Sequence, residues 1–274
     1  MPEWMIVILQ GVVQGVTEFL PVSSTGHLLV VSALLDFEIG NEGTFEIFIQ
    51  VGTLVAVLAY YRQSLWQQVR TVRTDQSVQR LWMNVVLASI PIAVLGFLFL
   101  NFIETQIFPQ DRAPIVIAIT LILGGIIFLV IEQRPQPDPD QLTTDLQNIT
   151  WQQAIIIGIA QAFALIPGTS RSGASIVGAL LVGLDRPTAT AFSFYAAIPV
   201  LGGATVLQLI FNLDEVDMSE LAALFVGAVV AGMVAWVTIG WLLRFVANHD
   251  FKIFGYYRII AGVILILMIV AGIL

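Results

Sequence analysis

Gln14-Gly15-Val16-Thr17-Glu18-Phe19-Leu20-Pro21-Val22-Ser23-Ser24-Thr25-Gly26-His27 is the segment whose reading decides the fold. Apolar sequence surrounds it on both sides. The run from Met5 to Leu20 is shorter than the ~20 residues a helix needs to cross a bilayer. Pro21 ends that run, because proline has no N–H to give and disfavours helix at the residue before it. Ser23, Ser24 and Thr25 suit the N-cap of a second short helix reaching Leu35. Two short helices meeting at a polar turn predict a re-entrant hairpin, one that enters the membrane and returns. Its irregular backbone is tolerated only where protein buries it or where it lines a cavity.

A second segment repeats the pattern: Gln161-Ala162-Phe163-Ala164-Leu165-Ile166-Pro167-Gly168-Thr169-Ser170-Arg171-Ser172-Gly173, between the short helices Trp151–Ile166 and Gly173–Leu184. With an offset of 147, Gly11 falls on Gly158, Gln14 on Gln161, Ser23 on Ser170, Thr25 on Ser172, Gly26 on Gly173 and Phe45 on Phe192, while Pro21 and Pro167 miss by one. Apolar spans follow the first hairpin at Thr44–Tyr61, Leu81–Phe102 and Ala113–Glu132. They follow the second at Pro187–Asn212, Ser219–Val246 and Phe254–Leu274. Pro91 and Pro199 are expected to kink their helices. The order of elements predicts a duplication: repeat 1 over 1–132, a proline-containing polar linker over 133–150, and repeat 2 over 151–274. Three spans per repeat is an odd number, so the second repeat starts on the opposite side from the first. The expected fold is an all-α polytopic membrane protein of two inverted-topology repeats. Each repeat is a re-entrant helix hairpin plus three transmembrane helices, six full spans in total, with the hairpins meeting near the midplane.

Composition agrees. Of 274 residues, 58% are hydrophobic and 11% charged, against roughly 25% charged in soluble domains; mean hydropathy is +0.91. A net charge of -8 argues against nucleic acid as a partner. The chain has no cysteine, which excludes disulfides, thiolate zinc sites and a cysteine nucleophile. Met1–Leu9 lacks a basic n-region and is not read as a signal peptide. Lys and Arg in short loops set orientation. Arg62, Arg70, Arg73, Arg80, Arg134, Arg186, Arg244, Lys252 and Arg258, just inside the last span, share one side. Arg112 and the acidic loop Asp214, Glu215, Asp217, Glu220 share the other. This places both termini outside and brings the first hairpin in from the outer face.

The polar groups in the two turns suit phosphate chemistry. Gln14 and Glu18 lie one helical turn apart on one face. A buried carboxylate meets a cation or metal, or holds a proton; alternatively, Glu18 simply caps the next helix. Ser23, Ser24, Thr25 and Gly26 open a helix, where amides and hydroxyls together bind anions, although capping alone would also use them. His27 can act as base, acid or nucleophile near neutral pH. Arg171, flanked by Ser170 and Ser172 and by Gly168 and Gly173, cannot shed its proton. Buried, it needs an anion: a phosphate, or Glu18 across the repeat interface, and the two are compatible if Glu18 holds Arg171 in the empty site. Glu46 and Gln50 share a face of the first span and either line the same cavity or serve helix contacts. His249 lies in a basic loop and is expected to be solvated.

On these residues the chain resembles the undecaprenyl-pyrophosphate phosphatase family, the bacitracin-resistance type of integral membrane phosphatase. That family's first motif, Glu/Gln-x-x-x-Glu followed by Pro-x-Ser-Ser-Thr-Gly-His, matches Gln14, Glu18 and Pro21 to His27. Its second, Pro-Gly-x-Ser-Arg-Ser-Gly, matches Pro167 to Gly173. Gln14 stands where many members have glutamate, which weakens a metal role there. The resemblance covers essentially the whole chain. It implies hydrolysis of a C55 isoprenyl diphosphate to the monophosphate and inorganic phosphate, recycling the lipid carrier of cell-wall precursors in the bacterial plasma membrane. It also implies a divalent cation, Mg2+ or Ca2+, and a site on the outer side. The implied catalytic residues are Glu18, Ser24, His27 and Arg171. The implied substrate-binding residues are Ser23, Thr25, Gly26, Thr169, Ser170, Ser172 and Gly173, with Glu18 and Gln14 toward the metal. Either Ser24 attacks with His27 as its base, or His27 attacks with Ser24 positioning the phosphate. The isoprenyl diphosphate and the bilayer are the expected partners, and the reading admits a homodimer.

Two rivals stand beside this. The acid-phosphatase type of lipid phosphatase needs a histidine about six residues after its Ser-Arg element; Ser170-Arg171 is followed by Ser-Gly-Ala-Ser-Ile-Val-Gly. A transporter or flippase of prenyl phosphates would share the inverted repeats and the binding groups, alone or together with phosphatase activity.

Overall fold

The computed structural model describes residues 2–35, 44–107, 112–135, 138–212 and 221–274. The described residues are helical, in the order α1 (Glu3–Thr17), α2 (Ser24–Leu35), α3 (Thr44–Tyr60), α4 (Arg62–Thr71), α5 (Gln76–Phe102), α6 (Ala113–Glu132), α7 (Trp151–Ala162), α8 (Arg171–Leu181), α9 (Arg186–Asn212), α10 (Leu221–Val246) and α11 (Lys252–Val270), with short 3-10 and π turns between some of them. Five of these are long and apolar enough to cross a membrane, or six if α3 and α4, bent by 68° at Tyr61, count as one span. Large apolar side chains such as Phe97, Val130, Phe225 and Leu267 face outward, as a lipid solvent allows. The chain is a multi-pass membrane protein.

Small residues fix which helices touch and in which sense. Gly11 and Gly15 pack on the carbonyls of Gly227 and Ala231, where an added Cβ would come within 2.8 and 2.6 Å of oxygen. The rising numbers on both sides make α1 and α10 parallel. Gly227 faces Phe45, Gly232 faces Gly52 and Gly240 faces Tyr60, so α3 is parallel to α10 as well. With α1 and α3 running the same way, α2 must run back. The Gln10 amide donates to Ser32 Oγ at 2.7 Å across that hairpin. In the other half, Asn84 donates to the Ile149 carbonyl at 2.6 Å and Gln161 to the Ala88 carbonyl at 3.2 Å, aligning α5 with α7. Gln153 donates to the Val182 carbonyl at 2.9 Å, closing α7 against α8. Gly202 faces Leu54 while Tyr195 meets Tyr61, so α3 and α9 are antiparallel. It follows that α1 and α7 run in opposite senses, and the turns that end them meet inside the bundle.

Several sequence boundaries are corrected. The basic stretch expected to be a loop after Tyr61 is helical through Thr71 and again from Gln76. Asp75 starts α5 five residues before the expected Leu81 by accepting from Ser77 N at 2.9 Å and Ser77 Oγ at 2.6 Å, bonds that hold its carboxyl below the usual carboxylate range. Asp185 likewise caps α9 through Thr188 N at 2.9 Å. The described part of the linker is docked: Thr143 N donates to the Gly183 carbonyl at 2.9 Å, and Thr150 forms a capping box with Gln153 at the start of α7. Pro91 and Pro199 lie inside continuous helices. The acidic loop Asp214, Glu215, Asp217, Glu220 lies outside the described residues.

Basic groups gather at one end of the bundle. Arg62, Arg70, Arg73, Arg80, Arg134, Arg186, Arg244 and Lys252, eight of the eleven, sit on helix ends that contact one another there. Arg186 forms a two-pronged bond with buried Glu132, which also accepts from Phe251 N at 3.0 Å. That joins the last turn of α6 to the first turns of α9 and α11. Arg258 is not among this group, as developed below.

Candidate active site

Two turns that share one backbone feature form the centre. Ser23 and Ser170, the residues just before α2 and α8, both have φ of 72°. This left-handed conformation costs a non-glycine residue roughly 1–2 kcal/mol and persists where surroundings impose it. At the second turn Ser170 Oγ accepts from Gly173 N at 3.1 Å and lies 3.1 Å from Ser172 Oγ. Ser172 Oγ in turn donates to the Leu20 carbonyl at 2.8 Å, in the first turn. The amino-terminal ends of α2 and α8 therefore approach each other, and both carry positive dipole ends.

Glu18 is the hub. Its Oε2 accepts from Ser24 Oγ at 2.9 Å and from Gln14 Nε2 at 3.2 Å, and its Oε1 accepts from Arg171 Nη2 at 3.4 Å. The side chains of Arg171 and Glu18 are 9% and 6% exposed, so this ion pair is deeply set. Arg171 Nη1 donates to the Ser193 carbonyl at 3.1 Å, and its guanidinium lies 6.0 Å from the Phe19 ring centre. Ser175, one turn on, anchors Ser193 through a 2.7 Å hydroxyl pair. Two buried polar atoms of the cluster have no protein partner: Arg171 Nε and Gln14 Oε1. Buried polar atoms are normally paired. Both lie beside the ion pair, where a phosphate and a cation would satisfy them.

His27 stands apart from Ser24. Its Nδ1 is 2.7 Å from the Ser23 carbonyl, which can only accept, so Nδ1 carries hydrogen. In the neutral ring Nε2 then accepts from the Tyr257 hydroxyl, 2.7 Å away. The two rings stack with centres 5.6 Å apart and planes 6° apart. The expected pairing of His27 as the base of Ser24 is not formed: the hydroxyl bonds Glu18 and both ring nitrogens are engaged elsewhere.

Among the other expected residues, Thr25 is exposed in the first turn of α2, and Gly26 packs against Ile117. Thr169 gives its carbonyl to Arg258. Glu46 is exposed on α3, and neither it nor Gln50 joins the described bonds around Glu18. His249 is exposed, its Nδ1 3.1 Å from the Phe245 carbonyl.

Arg258 is the residue that loop-charge counting misplaced. It is 0% exposed. Its guanidinium donates to the Pro21 carbonyl at 3.1 Å in the first turn. In the second turn it donates to the Gly168 and Thr169 carbonyls at 3.2 and 3.1 Å. On α6 it reaches Thr120 and Leu121. Thr120 Oγ1 adds a 2.7 Å bond to the Pro167 carbonyl. One cation thus staples both turns and a span. The available signal was an arginine inside an apolar helix, which calls for a buried partner. Tyr257 gave no signal, since a tyrosine near a helix start also suits a membrane interface.

Two buried arginines, two helix amino termini and a single carboxylate leave the centre positive, an arrangement that fits an anion with several oxygens. Helical spans around such a centre define an all-helical membrane protein with a polar site set inside the bundle. More particularly, the chain belongs to the family described as Bacitracin resistance protein BacA, whose model matches residues 7–264. It is 44% identical to the undecaprenyl-diphosphatase of Deinococcus radiodurans over 99% of this chain and 97% of that protein. It is 43% identical to that of Albidiferax ferrireducens, over 94% and 92%, and 41% identical to that of Cupriavidus necator, over 97% and 95%.

Proposed function

We propose that the chain is an undecaprenyl-diphosphatase, hydrolysing a C55 isoprenyl diphosphate to the monophosphate plus inorganic phosphate. The observation that carries this is the Glu18 carboxylate shared between Arg171 and Ser24 at the meeting of the two turns, beside the unpaired Arg171 Nε. The relatives' shared name supports the same chemistry, and none of those cited favours the transporter. Arg171 turns its fork to the terminal phosphate and stabilises charge developing on it. Ser24 Oγ forms the new bond to the terminal phosphorus as the bridging P–O bond breaks, and its proton passes to Glu18 Oε2. Water then displaces the seryl oxygen, which recovers that proton, and phosphate leaves. The Ser24–Glu18 bond supports this assignment over attack by His27, whose Nε2 faces Tyr257. The residues Ser23, Thr25, Gly26, Thr169, Ser170, Ser172 and Gly173 form the two turns on which Ser24 and Arg171 are mounted, and the substrate phosphate is read as lying between those turns.

The residues fit a divalent cation that the substrate itself helps to hold. Among the described residues no group of three His, Cys, Asp or Glu is gathered. Glu18 and the unpartnered Gln14 Oε1 would hold the ion with phosphate oxygens, the manner in which Mg2+ is often bound. The ion supplies charge neutralisation at the diphosphate.

The architecture we infer is two inverted repeats with six spans, α3 and α4 together making one. It is supported by the opposed senses of α1 and α7, by the matching φ at Ser23 and Ser170, and by the reuse of pairings: α1 with α10 and α5 with α7, α3 with α10 and α5 with α9, and α6 with α11. The basic end is read as cytoplasmic, so the first hairpin enters from the outer face of the bacterial plasma membrane. The test is phosphate release from C55 diphosphate by purified protein, with and without chelator. Release lost in Ser24→Ala sustains the reading. No release by the unaltered chain under any cation sinks it.

A further inference from the structure

Helix α4 departs from a helix bathed in water in what it shows outward. Inward it presents Ser64, Leu65 and Gln68, with Leu65 packed against the core beside Tyr195. Gln68 Nε2 donates to the Tyr195 hydroxyl and to Ser64 Oγ, both at 3.0 Å, and Gln68 Oε1 accepts from Trp82 Nε1 at 3.0 Å. These polar groups, together with Leu65, dock α4 onto α5 and α9. Outward, Arg62, Trp66, Val69, Arg70 and, just past the helix end, Arg73 recur at i, i+4, i+7, i+8 and i+11, one continuous face. Trp66 is 60% and Val69 66% exposed. The Arg70 guanidinium lies 4.9 Å over the Trp66 ring. No acidic residue occurs between Arg62 and Thr74, and Asp75 is engaged as the cap of α5.

A stripe alternating arginine with exposed Trp and Val fits one environment, the boundary between headgroups and acyl chains. The 68° bend from α3 lays α4 across the span direction, and α4 sits at the basic end of the bundle. Tryptophan favours that depth, and arginines there meet lipid phosphates. We propose that α4 is an interfacial helix that binds anionic phospholipid headgroups through Arg62, Arg70 and Arg73, with Trp66 and Val69 seated among the chains. This surface is separate from the phosphatase centre and does not depend on it.

Native mass spectrometry of the full chain, equilibrated with mixed phosphatidylglycerol and phosphatidylcholine, reads the proposal directly. The unaltered protein should retain phosphatidylglycerol preferentially. Each Arg→Gln change among Arg62, Arg70 and Arg73 should weaken that preference about fivefold, while the triple variant keeps its release of phosphate from C55 diphosphate. Phosphatidylglycerol brominated near the headgroup should quench a fluorescence component that Trp66→Phe removes. An unchanged lipid preference in the triple variant overturns the proposal, as does Trp66 emission indifferent to the brominated lipid. A loss of oligomeric mass in the triple variant overturns it in favour of contact between copies. Displacement of the bound lipid by inorganic phosphate alone overturns it in favour of a free anion site.

Discussion

The two hairpin turns share a positive-φ serine before the second helix and carry opposite charges. Each ends a short helix, passes through a serine at φ 72° and opens a second short helix. The first turn carries the acid Glu18 and the hydroxyl of Ser24; the second carries the base Arg171. In the two-repeat reading proposed above, one framework holds two unlike halves of one site. The halves touch at Arg171–Glu18 and at Ser172–Leu20, and it is there that the proposed chemistry is located.

The comparison breaks most completely at Arg258, which bonds one carbonyl of the first turn and two of the second. Arg258→Leu strands those acceptors, each lost partner costing about 1–3 kcal/mol when buried. The expected outcome is protein that fails to accumulate in folded form. Arg258→Lys keeps the charge with fewer and differently arranged donors. It should fold with a lowered melting temperature and become cleavable at the second turn before the first. Equal protection of both turns in the lysine variant would show that the staple holds neither preferentially.

Next in size is the charge pair itself. Arg171→Ala should lower kcat about 100- to 1000-fold, the range for removing a donor that meets transition-state charge. It also leaves Glu18 buried and unpaired, a loss of about 3–5 kcal/mol. The double variant Glu18→Gln/Arg171→Gln separates the two effects. Its melting temperature should recover toward that of the unaltered protein while phosphate release stays absent. Recovery of turnover along with stability would mean that the pair serves only to join the hairpins.

The turns and their pairing were legible in sequence because each interrupts an apolar run with groups that lipid cannot satisfy. Arg258 was not, because six residues into α11 it could be counted with the loop charges around Lys252. Helix α4 was hidden for a different reason. Its inward face is Ser64, Leu65 and Gln68, so a search for apolar periodicity finds a single inward residue and no stripe. The separation of His27 from Ser24 could not be read from spacing either. Three residues on a helix bring two side chains to one face, but here the Ser23 carbonyl and Tyr257 turn the imidazole away.

A smaller effect is expected at Tyr257, the partner that only the first turn possesses. Tyr257→Phe keeps the stacked ring and removes the donor to His27 Nε2. Because the chemistry is carried by Ser24, Glu18 and Arg171, phosphate release should be retained while the melting temperature falls by an amount worth about 1–2 kcal/mol, the cost of leaving one partner of the bond unmet. In a His27→Gln background the same change should do nothing further. Additive losses in the double variant would sever the tyrosine from the histidine.

The smallest expected effect compares Gln14 with its counterpart Gln161, both buried, each with an unpaired Oε1. Gln161 donates to the Ala88 carbonyl and has Leu165 where Gln14 has Glu18. Only the first turn therefore offers a cation a carboxylate neighbour. Gln14→Glu adds a second negative oxygen donor there, and charge count tunes divalent-cation affinity. The half-saturating Mg2+ concentration for phosphate release should fall about tenfold, and the thermal stability of the variant should become sensitive to chelator, since two adjacent carboxylates repel without an ion between them. An unchanged Mg2+ dependence would remove Gln14 from the cation's surroundings and leave Glu18 acting on Ser24 and Arg171 alone.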